Sequence, residues 1–327
     1  MHRKLGSSHF DGYERACKAK GLVFSRETGL RLVKTPQGRV IGAVRDLKSS
    51  EVGSVGVSIS NNKALTNSLM RSGGLPIPRQ FSFKIADFER ALSEKYRFPL
   101  VLKPADGKGG EGVVTGIGRR ELFEQAMKSA ADVQRRKDRV FVLEESIDAF
   151  DLRVSVVGNR YNCACVRVPA HVVGNGVATV AQRVAKKDEV RTTHPHHKRF
   201  PLGAAILNEP GAIPANEEIV LLSQASNIHQ GGEACDVTDL VRGDLRRLAE
   251  MAVSAVPNLN VAGGDLLVKS LTSAEGAVVL EINAAANYAI HYYPYYGDSR
   301  NPAGAVVDLM IERATKSKLQ NSTFGVA

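Results

Sequence analysis

Two short patterns in the chain could do chemistry by themselves. In the first, Lys103 ends an apolar stretch and a loop with Gly107, Lys108, Gly109, Gly110 and Gly112 follows. Glycines let backbone N–H groups come close to oxygen atoms, and an adjacent lysine adds a point charge, so this is a pattern for phosphate. A solvated hairpin loop would read the same way, and the Walker spacing GxxxxGK[ST] is absent. The second pattern joins Gly264-Asp265-Leu-Leu-Val to Val279-Leu-Glu281-Ile-Asn283. Glu281 and Asn283 are two apart on a strand and share a face, and a turn at Glu275-Gly276 brings Asp265 onto the neighbouring strand. Three hard oxygen donors suit Mg²⁺. The alternative is an acidic strand edge in water, but both carboxylates are embedded in apolar runs, where an unpaired charge is costly.

A third stretch, Glu144-Glu145-Ser146 followed by Asp151-Leu-Arg153, is an apolar strand that runs into acidic residues and then an arginine-bearing strand. It reads either as a nucleotide hinge or as solvated strand ends.

These residues need elements to hold them. Residues 10–20 form a short helix, and 21–45 alternate apolar and polar residues around two turns. Ser60, Asn61 and Asn62 offer caps to a helix over Lys63–Ser72, which Gly73-Gly74 ends. Strands follow near 99–103 and 112–117, then a helix over 119–131 and strands over 139–144 and 152–157. From about 175 to 215 a polar, His-rich connection is expected, with Thr193-His-Pro-His-His-Lys198 a flexible loop rather than a zinc site. A helix at 240–255, strands at 264–269 and 277–283, a helix at 302–314 and a frayed polar tail complete the chain.

Composition narrows the classes. The 327 residues carry 44 Lys and Arg against 34 Asp and Glu, a net charge of +10, yet the basic residues are scattered and not interleaved with aromatics, which argues against a nucleic-acid partner. The four cysteines have no CxxC pairing, so a reduced protein of the cytoplasm is expected. Cys163 and Cys165 read as buried, inert thiols. No segment has the length and apolarity of a membrane span or signal peptide, so no membrane partner is expected.

The order of these patterns resembles the ATP-grasp superfamily, in particular the ATP-grasp modules of cyanophycin synthetase and of the fused bacterial glutathione synthetase. The likeness spans about residues 54–313 and rests on Ile59-Ser-Asn-Asn-Lys63-Ala-Leu-Thr66, Gly74-Leu-Pro-Ile-Pro78, Lys103-Pro with its glycine loop, Arg167-Val-Pro-Ala-His-Val-Val-Gly-Asn-Gly176, Asn227-Ile-His-Gln-Gly-Gly232, Asp236-Val-Thr-Asp239, Glu281-Ile-Asn283 and Pro294-Tyr-Tyr-Gly-Asp-Ser-Arg300. The resemblance implies an α+β fold, two α+β subdomains sandwiching ATP, preceded by a short N-terminal α/β segment. The expected division is a pre-ATP-grasp segment over 1–60, an ATP-grasp domain over 61–315 whose first part grips the nucleotide (61–150) and whose second carries the metal site (151–315), and a tail over 316–327.

Carried over by position, the resemblance puts Lys63 and Lys103 on ATP phosphates, with the loop from Gly107 to Gly112, Lys108 included, closing over them. Glu144, Glu145 and Ser146 meet adenine and Asp151 the ribose. Asp265, Glu281 and Asn283 hold two Mg²⁺ ions, with Mn²⁺ as an alternative. Arg167 faces the transferring phosphoryl group and Arg153 assists it. Asn227, Gly231, Gly232 and Arg300 are candidates for holding substrate. One departure is Glu111, where relatives carry a basic residue, with Lys108 as its candidate substitute.

The implied activity is an ATP-dependent carboxylate–amine ligase acting through an acyl phosphate on amino acids or short peptides. Because the chain lacks the further halves of those synthetases, a stand-alone ligase is expected, with a homo-oligomer left open. Two readings stay beside it: a carboxylate kinase or ligase with a non-amine acceptor, and a nucleotide binder without chemistry. The tyrosines around His291 (Tyr288, Tyr292, Tyr293, Tyr295, Tyr296) line an acceptor pocket or simply pack, and His291 receives no role.

Overall fold

The computed structural model describes residues 8–84, 87, 90, 97–105, 112–133, 140–203, 209–223 and 225–323. The polar face of one five-stranded sheet organises the molecule.

Helix α1 (Ser8–Ala19) leads into an antiparallel sheet of β1 (Val23–Glu27), β2 (Leu30–Lys34), β3 (Val40–Arg45) and β4 (Lys48–Ser49). Helix α2 (Ser54–Ser60) is not among the expected elements, whereas α3 (Lys63–Ser72) has the expected bounds. Asn62 caps α3, its side chain accepting from Leu65 N–H at 3.0 Å, and Gly74 at φ +71° ends it. A second antiparallel sheet, in the order β5-β8-β6-β7, contains β5 (Gln80–Lys84), β6 (Leu100–Pro104), β7 (Val114–Ile117) and β8 (Val140–Glu145). Helix α4 (Arg120–Val133) covers it, burying Phe123 and Met127 against Leu100, Leu102 and Phe141.

The central sheet has the order β13-β10-β9-β14-β15, from β9 (Phe150–Val157), β10 (Arg160–Val168), β13 (Glu233–Asp236), β14 (Val261–Val268) and β15 (Val278–Asn283), all antiparallel. Along β9 the period of two puts Leu152, Val154 and Val156 on one face and Asp151, Arg153 and Ser155 on the other. The apolar face packs against α6 (Gly243–Ser254), whose Leu245, Leu248, Ala249, Ala252 and Val253 recur at helical spacing. This is the largest core of the molecule, and it backs the polar face.

Two expectations need correction. The connection after residue 175 is not an irregular loop: it contains the 14-residue helix α5 (Val180–Thr193) and is flanked by the paired strands β11 (His171–Val173) and β12 (Ile219–Leu221). Thr179 and Gln182 close a capping box at its start, Thr179 Oγ1 accepting from Gln182 N–H at 3.3 Å and Gln182 Oε1 from Thr179 N–H at 2.9 Å. His196 and His197 behind it are buried rather than solvated, and burial pushes their pKa values down to about 4 and about 2. The frayed tail is likewise replaced by α8 (Pro302–Thr323), which runs well past residue 314. The short turn α7 (Ala289–Tyr292) precedes it.

The N-terminal elements share one core with α7 and α8. Tyr13, Val33, Ile41 and Val44 pack with Tyr288, Tyr292, Val306 and Met310. The approach is so close that a Cβ on Gly12 would lie 1.9 Å from the Tyr292 hydroxyl, and one on Gly42 2.2 Å from the Met310 sulfur. Tyr288 and Tyr292 are therefore core residues.

Candidate active site

Register fixes the site. Asp265 on β14 stands between Arg153 on β9 and Glu281 on β15, and Arg167 on β10 stands opposite Asp151 on β9. Partners across a sheet share a face, so all five side chains, with Asn283, project from the polar side. Arg153 Nη1 donates to both oxygens of Asp265 at 3.0 Å. Arg167 Nη2 lies 2.7 Å from Asp151 and 3.0 Å from Asp265. Asn283 Nδ2 donates to Asp265 at 3.2 Å. Lys63, at the first turn of α3, lies 3.6 Å from Glu281.

Gly263 makes room for this arrangement, since a Cβ there would lie 2.3 Å from Arg153 Nη2. Burial by itself would raise the pKa of Asp265, but Arg153, Arg167 and Lys63 outweigh it and hold the carboxyl below its ordinary value. Burial opposes the charge on Arg167 as well, and Asp265 and Asp151 more than restore it. The six charges of Lys63, Arg153, Arg167, Asp151, Asp265 and Glu281 cancel, so the cluster balances itself.

In the second sheet, Lys103 on β6 is hydrogen-bonded to Glu144 on β8. The hinge beyond β8 is tied down by its backbone, with Glu145 N–H donating to Arg79 O at 3.1 Å and Ser146 N–H to Pro99 O at 2.8 Å. Gly112 adopts φ +70° against Pro104. Gly107, Lys108, Gly109, Gly110 and Glu111 lie outside the described residues.

The segment from Asn227 to Gly232 reaches the cluster through its neighbour Ser226, which donates to Asp151. Gly231 takes φ +91°, and a Cβ on Gly232 would lie 2.3 Å from Ser226 O, so the tight turn requires glycine at both positions. Arg300 is already engaged, donating to Asp236 at 2.6 Å and Asp239 at 2.7 Å. Any substrate carboxylate it took would have to displace one of them.

Sequence reasoning missed how Arg153 and Asp265 depend on each other, because strand pairing joins residues 112 apart. It also assigned nothing to His291, which lies buried over this same face with Arg153, Asp236, Arg167 and Asp265 around it.

The donor set can be tested against magnesium. Among the described residues, no group of three or more His, Cys, Asp or Glu is arranged to hold a metal ion. Among the described residues, Glu281 pairs only with Lys63, at 3.6 Å, and Asn283 turns its amide nitrogen toward Asp265. Two carboxylates and a carboxamide fit Mg²⁺, which takes few protein ligands and completes its shell with water and phosphate oxygens.

A profile of the ATP-grasp domain matches residues 59–286. Over 287 residues the chain is 28% identical to cyanophycin synthetase of Synechocystis sp., covering 83% of this chain and 32% of that protein. Over 278 residues it is 28% identical to the bifunctional glutathione biosynthesis protein of Pasteurella multocida, covering 77% of this chain and 35% of that one. The chain thus spans about a third of the length of these curated relatives. The crystal structure of the bifunctional glutathione synthetase from Pasteurella multocida superposes with a TM-score of 0.62 at 22% identity, over 92% of this chain and 44% of that one, and so shares its fold. No helix among the described residues is long and apolar enough to cross a membrane. With well over half of its length matched by the family profile, the chain belongs to the ATP-grasp family.

Proposed function

We propose that the protein is an ATP-dependent carboxylate–amine ligase that activates a carboxylate as an acyl phosphate and transfers the acyl group to an amine, with amino acids or short peptides as substrates. One observation carries the reading: Lys63, Arg153 and Arg167 converge with Asp265, Glu281 and Asn283 on one sheet face. The names of the relatives, cyanophycin synthetase and a glutathione biosynthesis protein, support it.

In this mechanism Lys63 and Lys103 bind ATP phosphates, Glu144 to Ser146 the adenine and Asp151 the ribose. Asp265, Glu281 and Asn283 would hold magnesium, which when bound neutralises phosphate charge. Arg167, fixed by Asp151 and Asp265, presents its guanidinium to charge developing on the transferred phosphoryl group, and a donor already oriented needs no reorganisation at that moment. Arg153 keeps Asp265 ionised and in place. The turn from Asn227 to Gly232, with Arg300, holds substrate. The amine then displaces phosphate from the acyl group.

The test is ADP release from Mg-ATP across the proteinogenic amino acids, singly and in pairs, beside Glu281→Ala. Release with particular pairs, abolished in the variant, is expected. Glu281 is only half-buried and loosely paired, so the variant should keep its melting temperature. Absence of ATP binding in the wild-type protein would end this reading.

A further inference from the structure

Helix α7 lies across the polar face of the central sheet, packed on β10 and β13. Its Ile290 sits against Cys165, Ile228 and Ala234. Ala234 is the cross-strand partner of Arg167, and His291, the residue after Ile290, lies within the field of both Arg153 and Arg167. Its side chain is only 2% exposed. Burial first, then Arg153, pushes its pKa down to about 3, with Arg167 adding to this and Asp236 and Asp265 opposing it. The ring is therefore neutral at neutral pH. Its backbone is pinned on both sides, the N–H donating to Tyr288 O at 3.0 Å and the carbonyl accepting from Arg300 N–H at 2.8 Å.

Among the described residues, Nδ1 of His291 and Nε of Arg167 on this face have no hydrogen-bond partner. Each unmet buried group costs about 1–3 kcal/mol, so two of them beside a candidate active site point to a ligand that supplies what the protein does not. Guanidinium Nε can only donate, so its missing partner is an acceptor oxygen.

We infer that His291 and Arg167 together hold the carboxylate of the acyl-donating substrate, one oxygen accepting from Arg167 Nε and the other from an imidazole that carries its hydrogen on Nδ1. This rests on the ligase reading above and specifies where that reaction begins. Arg153, Arg167 and Lys63 are already balanced on this face by Asp151, Asp265 and Glu281. A neutral donor orients the carboxylate without adding an unbalanced full charge, which would hold its electrons back from the phosphoryl group. Asp236 and Asp265 are unsuitable for the task, since like charges repel.

The test compares His291→Leu, which fills the space without a donor, with His291→Gln, which keeps an amide N–H. Once the ADP-release screen has identified the carboxylate substrate, His291→Leu should raise its KM by about tenfold or more, the worth of one hydrogen bond to a charged group. Affinity for Mg-AMP-PNP should stay unchanged, and His291→Gln should recover most of the loss. An unchanged KM in both variants overturns the inference, as does an equal loss of nucleotide affinity, which would place the ring on ATP instead. If the wild-type protein releases no ADP with any pair, or if His291→Leu does not fold, ¹⁵N-histidine NMR of the wild-type protein with Mg-AMP-PNP decides the question. A shift of the His291 ring signals on adding acetate or glycine, with the hydrogen on Nδ1, supports carboxylate binding even where the ligase reading has failed. No shift, or the hydrogen on Nε2, refutes it.

Discussion

Asp265→Asn should be the most damaging isosteric change in the site, and its size can be worked from the contacts. The substitution keeps shape and removes one charge. Arg167 would retain Asp151 at 2.7 Å, but Arg153 would lose the carboxylate it holds through two 3.0 Å contacts, among the described residues its only ion-pair partner. Removing one partner of a buried ion pair costs about 3–5 kcal/mol, because the other charge stays in a low dielectric without compensation. The Asp265 carboxyl is held below its ordinary pKa. Its contribution is therefore complete above that ordinary value, near 3.9, and is lost only as the pH falls through the folded value, so a neutral assay measures all of it. Urea denaturation of the wild-type protein, Asp265→Asn, Arg153→Leu and the double variant Arg153→Leu/Asp265→Leu gives the comparison. The double variant should recover part of the single-variant loss, since it buries no unpaired charge on β9. A loss under about 1 kcal/mol for Asp265→Asn, or a double variant as unstable as the two singles added together, would refute the account of this pair as a buried, mutually dependent unit.

Other outcomes follow from neighbouring features. Gly263→Ala forces a methyl to within 2.3 Å of Arg153 Nη2, so it should cost about 1–3 kcal/mol and lower ADP release by displacing the guanidinium, which a melting curve beside the activity screen would show. His9, His196 and His291 are held neutral by burial, at about 4, 4 and 3. Their folded pKa values are depressed, so the unfolded chain binds more protons below pH 6.5, and stability is lost as the pH falls from there toward the folded values. At pH 5 each should withdraw roughly 2 kcal/mol, and urea midpoints should drop steeply between pH 6.5 and 5; a flat profile down to pH 4.5 would show these rings to be hydrated.

Local signals were legible where one segment carried both the pattern and its boundaries. Asn62 before Lys63 and Gly73-Gly74 after Ser72 bracket α3, and the two-residue spacing of Glu281 and Asn283 set their common face. Where local polarity misled, tertiary burial had decided the outcome. The segment behind Thr179 is so polar that it reads as loop, yet Val180, Val184 and Arg191 are enough to seat a helix, and Glu233 receives Lys187 at 2.8 Å and Arg191 at 3.1 Å within the protein. The overlooked signal was Thr179-Val-Ala-Gln182, a capping box in the sequence. In the site, each motif was visible separately, but no motif shows that Arg153 spends its charge on Asp265, or that His291 lies over both. Those facts belong to strand order, which one-dimensional spacing does not encode.

The shared core of the N-terminal sheet and α8 bears on how the chain is made. As it leaves the ribosome, β1 to β4 appear early, but the side chains that complete their packing, Val306, Val307 and Met310, are some 260 residues behind Val44. During that interval Ile41, Val44 and Tyr13 have only one another, Val33 and Phe24 for cover. The glycines at 12 and 42 leave shallow seats for Tyr292 and Met310 and contribute no side chain of their own. This sheet is thus synthesised well ahead of the helix that completes its core, and an apolar face left waiting in that interval is open to non-native association until α8 arrives.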